Sequence, residues 1–140
     1  MHPEARRAAA QPASATDLDG FAGRRHALLV TFRRDGQPVP TPVWFGIEGG
    51  RMYVRSEDDS GKVKRVRANP HVRVAPCNNR GRPHGPAAEA RARLLETPED
   101  RERAERAIQA NFGLGRRVFE RSGETLGVAS TYLEIEPQGE

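Results

Sequence analysis

Prolines stand at every second position, Pro38, Pro40 and Pro42, in a segment that otherwise reads as a β-strand: Pro38-Val39-Pro40-Thr41-Pro42-Val43-Trp44-Phe45. Successive N–H groups of a strand point to opposite lateral sides, so all three prolines remove donors from one side. That side cannot carry a full hydrogen-bond ladder, and the strand must lie at an edge or at a split in its sheet. The carbonyls of the same residues still point outward as acceptors, and a planar ring with N–H donors could lie against them. A proline-blocked edge also serves simply to prevent aggregation. Trp44, the one tryptophan, either lines a pocket beside this edge or fills core.

The elements around it follow from periodicity and turn residues. Asp17-Leu18-Asp19-Gly20-Phe21 starts a short helix ending near Arg25, and Ala27 to Arg33 is an apolar, β-branched strand. Arg34-Asp35-Gly36-Gln37 is a hairpin turn, with Asp-Gly supplying positive φ, and Val39 to Ile47 returns as the second strand. Glu48-Gly49-Gly50 turns into a third strand, Arg51 to Arg55. A helix from Gly61 to Ala68 is stopped by Asn69-Pro70, since the residue before proline avoids helical geometry. Val72 to Cys77 and Ala87 to Leu95 read as strands four and five. Thr97 as cap, Pro98 at the first helical position and acids in the first turn open a helix with Ala104, Ile108 and Phe112 on one face. A second short helical piece runs through Val118 and Phe119, and Leu126 to Glu136 is the last strand. Six short strands in hairpin order with inserted helices predict a mainly β chain, a small antiparallel barrel.

The chain of 140 residues is of a length expected for one domain, residues 17–137, preceded by a polar, disordered tail over residues 1–16. Hydrophobic residues make up only 36%, so a core built from them is thin and a dimer burying further surface is expected. No stretch is long and apolar enough to span a membrane, no secretory pattern opens the chain, and the single Cys77 fits a reducing cytoplasm. The net charge of +4 and the pI of about 10.0 favour anionic ligands. Nucleic acid is not indicated: acids and arginines alternate through Glu99 to Arg106, and the most basic run, Lys62 to Arg67, carries no interleaved aromatic residues.

That run holds the only two lysines, Lys62 and Lys64, among 23 basic residues. An ammonium is a compact point charge that suits a phosphate where a planar fork does not fit. Ser60-Gly61 opens the helix, and helix N-termini offer unpaired N–H groups and partial positive charge to an anion. Ser60 can cap or ligate, Gly61 permits close backbone approach, and Lys62 stands in the first turn. Lys64 points about 200° away from Lys62, whereas Arg65, three positions on, lies nearer its face. The candidate phosphate residues therefore rank Lys62, Ser60, Arg55 and Arg65, with Lys64 last. Asp58-Asp59 oppose this unless they face outward or satisfy the helix dipole.

Other chemistry is sparse. His2, His26, His71 and His84 show no metal-ligand spacing with Cys77 or one another, so no metal site is expected. His84 reads as a surface-loop residue and Cys77 as buried and inert. There is no Gly-x-Ser-x-Gly elbow, no phosphate-binding glycine loop and no visible acid/base constellation, so catalytic residues stay unassigned.

Taken together, the Asp-Gly hairpin, Pro-Val-Pro-Thr-Pro-Val-Trp-Phe, the Gly-Gly turn, Arg-Met-Tyr-Val-Arg and Ser-Gly-Lys-Val-Lys-Arg-Val-Arg-Ala-Asn-Pro-His-Val resemble the pyridoxamine-phosphate-oxidase-like split barrels, the flavin-reductase-like fold. The chain is more narrowly similar to their deazaflavin branch, the coenzyme F420-dependent oxidoreductases. The resemblance covers about Leu18 to Glu136. It implies an FMN-binding split barrel, a homodimer with two cofactor sites at the interface, a lysine at the Lys62 position on the cofactor phosphate, and a ring bordered by Thr41, Pro42, Val43 and Trp44. It also implies hydride transfer between reduced F420 and a small organic acceptor, with the cofactor supplying the reactivity. Two departures argue against vitamin B6 oxidation: Ser60-Gly61 replaces the Ser-Arg of true pyridoxamine phosphate oxidases, and their arginine-containing C-terminal signature is missing from Tyr132-Leu133-Glu134-Ile135-Glu136-Pro137. FMN is the alternative cofactor, and a non-catalytic module carrying a flavin or tetrapyrrole is the alternative role.

Overall fold

A computed structural model describes the backbone of residues 18–57, 60–125 and 130–138, with side chains described up to Asn111 and from Ser130 onward. Six strands form the barrel: β1 (His26–Phe32), β2 (Pro38–Glu48), β3 (Arg51–Glu57), β4 (His71–Cys77), β5 (Ala88–Leu95) and β6 (Ser130–Pro137). All are antiparallel, and the sheet closes in the order β1-β2-β3-β6-β5-β4. Two helices are inserted, α1 (Gly61–Ala68) and α2 (Pro98–Thr125). The expected mainly β barrel is the observed one. The tail over residues 1–16, the acids Asp58 and Asp59, and the strand start at Leu126 lie outside the described residues.

The turns are those their residues require. Gly36 has φ of +88° in the first hairpin, closed by Asp35 Oδ1 accepting from the Gln37 N–H, and Gly49 and Gly50 at +62° and +78° turn β2 into β3. Inside the barrel, Ala27, Leu29, Val43, Phe45, Met52, Val54, Val72, Val74, Leu133 and Ile135 form the main core. Small residues on β5, Ala88, Ala90 and Ala92, narrow the barrel on that side. On the outer face Tyr53, Leu95 and Tyr132 pack against Ala104, Ala107 and Ile108 of α2.

Two features seat α2. Gly46 of β2 touches the helix backbone so closely that a Cβ there would stand 2.1 Å from the Ala107 carbonyl oxygen. Asn111 then donates through Nδ2 to the carbonyls of Phe45, at 2.8 Å, and Arg24, at 3.0 Å. Thr97 caps the helix as its sequence predicts, accepting from the Asp100 N–H at 3.2 Å. Two expectations are corrected here. The helix expected from Asp17 to Arg25 is a single 3-10 turn over Asp19–Phe21. The break expected between two helical pieces near Gly113 is absent: α2 runs unbroken through Val118 and Phe119. A glycine inside a helix costs only about 1 kcal/mol, which tertiary context can override.

Candidate functional site

The proline strand holds the key to the barrel's geometry. Residues 38–44 of β2 pair with β1, from Phe32↔Pro38 to His26↔Trp44. Only from Phe45 onward does β2 pair with β3, in the register Phe45↔Val54 to Glu48↔Arg51. No residue of β2 is therefore flanked on both sides, and the strand passes from one neighbour to the other between Trp44 and Phe45. The three prolines face Phe32, Val30 and Leu28 across the β1 pair, and a proline can occupy only a position without hydrogen bonds there. Their backbones thus point to the open side, where β2 and β3 part. This is the split that the alternating prolines require, and its edge presents carbonyls without donors.

Continued past Phe45↔Val54, the β2–β3 register sets Ser56, near the end of β3, across the parting from Val43, and Ser56 in turn touches the start of α1. Ser60 is the N-cap of α1, its Oγ accepting from the Val63 N–H at 3.4 Å and lying 3.1 Å from the Ser56 Oγ on β3. By helix geometry the N–H of Gly61, at the first helical position, lies outside the intrahelical ladder. Val63 and Val66 are buried and anchor the helix in the protein. Lys62 is half-buried and Lys64 exposed, in keeping with their opposed directions.

Arg65 reaches back along the first turn. Its Nε donates to Thr31 Oγ1 at 2.6 Å, and its Nη1 would lie 2.8 Å from a Cβ on Gly61. Thr31 is fully buried and faces Val39, so Arg65 ties α1 to the β1–β2 pair beside the split. Burial, and then the neighbouring Arg33, lower its pKa from the ordinary guanidinium value. A guanidinium keeps its charge through such a shift. Glycine at position 61 is what leaves room for this guanidinium at the helix start.

Ser60, Lys62 and Arg65 are thus gathered on one short helix, whereas Arg55 is turned elsewhere. Its Nη1 lies 3.4 Å from Glu105 Oε1 of α2 and its Nε donates to Ser130 Oγ at 3.0 Å. Successive strand residues face opposite ways, so Ser56 turns to α1 while Arg55 turns to α2. The guanidinium is thus paired with a buried acid. Tyr132 donates to the same Glu105 oxygen at 2.6 Å, completing an outer-face network unrelated to the split.

Along the edge, Val43 is buried in the main core and Thr41 and Pro42 are half-buried. Trp44 is 37% exposed, so it lines the surface and is not core. Its indole Nε1 donates to His26 Nε2 at 2.9 Å. Sequence reasoning passed over His26, Ser56 and Thr31. A count about Asp35-Gly36 sets residue 26 opposite residue 45; the extra residue in the turn, where the Arg33 N–H donates to the Gln37 carbonyl, moves the partner to Trp44. Cys77 is buried, and burial pushes its thiol up to about 11, as expected of an inert cysteine. His84 is exposed. Among the described residues no group of His, Cys, Asp and Glu could hold a metal ion, and no helix is long and apolar enough to cross a membrane.

Residues 18–135 match the family model described as pyridoxamine 5'-phosphate oxidase. No curated protein matches the sequence. Solved structures share the fold. A conserved hypothetical protein from Mycobacterium tuberculosis superposes with a TM-score of 0.64 at 17% identity, over 91% of this chain and 86% of that one. An FAD-binding protein from Mesorhizobium loti gives 0.58 at 18% identity, over 85% and 83%. The haem storage protein HutZ from Vibrio cholerae gives 0.63 at 14% identity, over 84% of each chain.

Proposed function

The chain belongs to the pyridoxamine 5'-phosphate oxidase family, and on that premise we propose that it is an oxidoreductase using a flavin-type cofactor, the deazaflavin F420. Such a cofactor, when bound, supplies hydride transfer to or from a small organic acceptor. What supports the reading is a strand edge whose prolines offer carbonyls without donors, together with a helix start bearing Ser60, Lys62 and Arg65 that is tied to the neighbouring strands through Ser56 and Thr31. Lys62 and Arg65 provide charge for a phosphate, the Ser60 hydroxyl and the Gly61 N–H provide hydrogen bonds, and the outward carbonyls of the Thr41–Trp44 edge, that of Pro42 foremost, accept from the N–H groups of a planar ring. The residues present fit a phosphorylated ring of this kind. The protein's work is then to hold the ring, orient it and keep water from it. The split opens to the outside, so a second copy of the chain completes the enclosure in a homodimer. The protein acts in the cytoplasm.

A second reading is favoured by the neighbours: FMN in place of F420, given the FAD-binding relative, or carriage of a tetrapyrrole without turnover, given the haem storage relative. Equilibrium titration of the purified protein with F420, FMN and haem separates them. Tight FMN or haem binding with no F420 binding overturns the cofactor assignment. Within the F420 reading, Lys62→Ala weakens binding by about 10- to 150-fold, the worth of one charge-assisted contact of about 1.5–3 kcal/mol, while Lys64→Ala does little. Equal effects of the two substitutions would refute the placement of the phosphate.

A further inference from the structure

We propose that His26 is a positioning residue for the cofactor ring: its neutral imidazole latches the Trp44 indole at the point where the split begins, and protonation opens the latch. The ring part of this inference rests on the reading above; the latch itself does not.

Trp44 is the last residue of β2 paired with β1 before the strand crosses to β3, so its side chain stands at the inner end of the open edge. It is one of two large hydrophobic residues exposed on the described surface. An aromatic side chain with much of its surface in solvent needs a polar tie to keep one orientation, and the tie here is specific. The indole Nε1–H donates to His26 Nε2 at 2.9 Å, with the rings edge to face, 6.4 Å between centroids and 72° between planes. The indole nitrogen is a donor only, so Nε2 must be the acceptor and the imidazole proton sits on Nδ1. An imidazolium carries protons on both nitrogens and cannot accept. The bond therefore exists in one protonation state of His26 and not in the other.

The surroundings decide which state is favoured. His26 opens β1, with Trp44 opposite on β2 and Cys77 opposite on β4. Arg25 precedes it in the chain, just before the strand; from β2 comes the uncharged indole; from β4 comes a thiol that burial keeps protonated through neutral pH. Burial, first, and the Arg25 charge, second, lower the His26 pKa from 6.5. The latch is closed at neutral pH and opens as pH falls below that ordinary value. Ring binding through Trp44 should weaken over the same range.

The chain's single tryptophan makes the test direct. Emission of the ligand-free protein is followed from about pH 8 to about pH 5, the range in which a histidine titrates, for the wild type, His26→Gln and His26→Ala. Glutamine offers a carbonyl oxygen to the indole and does not titrate. The wild type should show one transition with its midpoint below 6.5, and both variants should be flat. A flat wild type, or His26→Gln retaining the wild-type transition, overturns the latch. Dissociation constants for F420 and FMN at about pH 8 then test positioning: His26→Ala should bind about 3- to 10-fold more weakly, the worth of one hydrogen bond, and His26→Gln about as well as the wild type. If the emission transition is present but His26→Ala binds as the wild type does, positioning is overturned while the latch stands. Absence of any cofactor binding by the wild type defeats the proposed function and with it positioning, and the emission arm still decides the latch.

Discussion

Gly61→Ala is the substitution that tests the anion site most sharply, because its effect runs through another residue. An added Cβ would stand 2.8 Å from Arg65 Nη1 and 3.5 Å from its Cζ. A guanidinium is the far end of a flexible side chain and can swing away at little steric cost. What it cannot keep while swinging out is the 2.6 Å bond from Nε to Thr31 Oγ1. Thr31 is 0% exposed, so its hydroxyl loses that partner in a place water does not reach. Leaving such a group unsatisfied costs about 1–3 kcal/mol, against a gain of up to about 1 kcal/mol for alanine over glycine in a helix. The net loss of stability is then about 0–3 kcal/mol. Phosphate binding suffers more, since one charge-assisted contact of about 1.5–3 kcal/mol goes with the guanidinium, a loss of about 10- to 150-fold. Urea unfolding and cofactor titration of the wild type, Gly61→Ala, Arg65→Ala and the double variant form a closed cycle. In the Arg65→Ala background, Gly61→Ala should leave affinity unchanged and stability equal or slightly improved. Additive losses of affinity, or a Gly61→Ala variant binding within about two-fold of wild type, would refute the dependence of Arg65 on Gly61.

Gly46→Ala should lower the urea midpoint strongly, by about 1–3 kcal/mol or more of overpacking, because its Cβ would meet the Ala107 backbone at 2.1 Å and nothing there can rotate away. Cys77 should resist alkylation in the folded protein at about pH 8 and react freely in urea: raising the thiol from 9.0 to about 11 leaves about a hundred-fold less thiolate. Because the folded thiol holds its proton to higher pH than the unfolded one, its contribution to stability is whole below about 9 and is lost as pH rises through about 11, which urea midpoints across that range would register.

Much of the barrel was legible in local chemistry, because the turns are marked by Asp35-Gly36 and Gly49-Gly50 and the strands by alternation. The proline phase alone foretold that β2 would lack a partner along part of one side. Helix α2 was harder. Gly113, Gly115 and Gly123 punctuate its second half, and a modest local penalty per glycine looked like a break when the packing of the element was unseen. Arg55 has a partner that the sequence did not show. Its neighbour in sequence, Ser56, belongs with Ser60, but strand alternation sends Arg55 to Glu105, fifty positions away, an acid that no local pattern could pair with it. Arg65 shows the reverse: helical spacing placed it near the face of Lys62, and only the coordinates link it to Thr31. His26 was out of reach of simple hairpin arithmetic, because one extra residue in the turn shifts its partner from Phe45 to Trp44.

The alternation of Pro38, Pro40 and Pro42 bears also on how the first hairpin finds its alignment. A slip of β2 by one residue against β1 would turn all three proline nitrogens toward β1, where amide protons are needed, and would carry Val43 and Phe45 from the barrel's interior to its exterior. Every odd misalignment is penalised three times over by missing bonds as well as by misplaced core. The same residues that leave one flank of the strand vacant therefore proofread the other, and the opening in the wall comes with a hairpin that is barred from half of its wrong alignments.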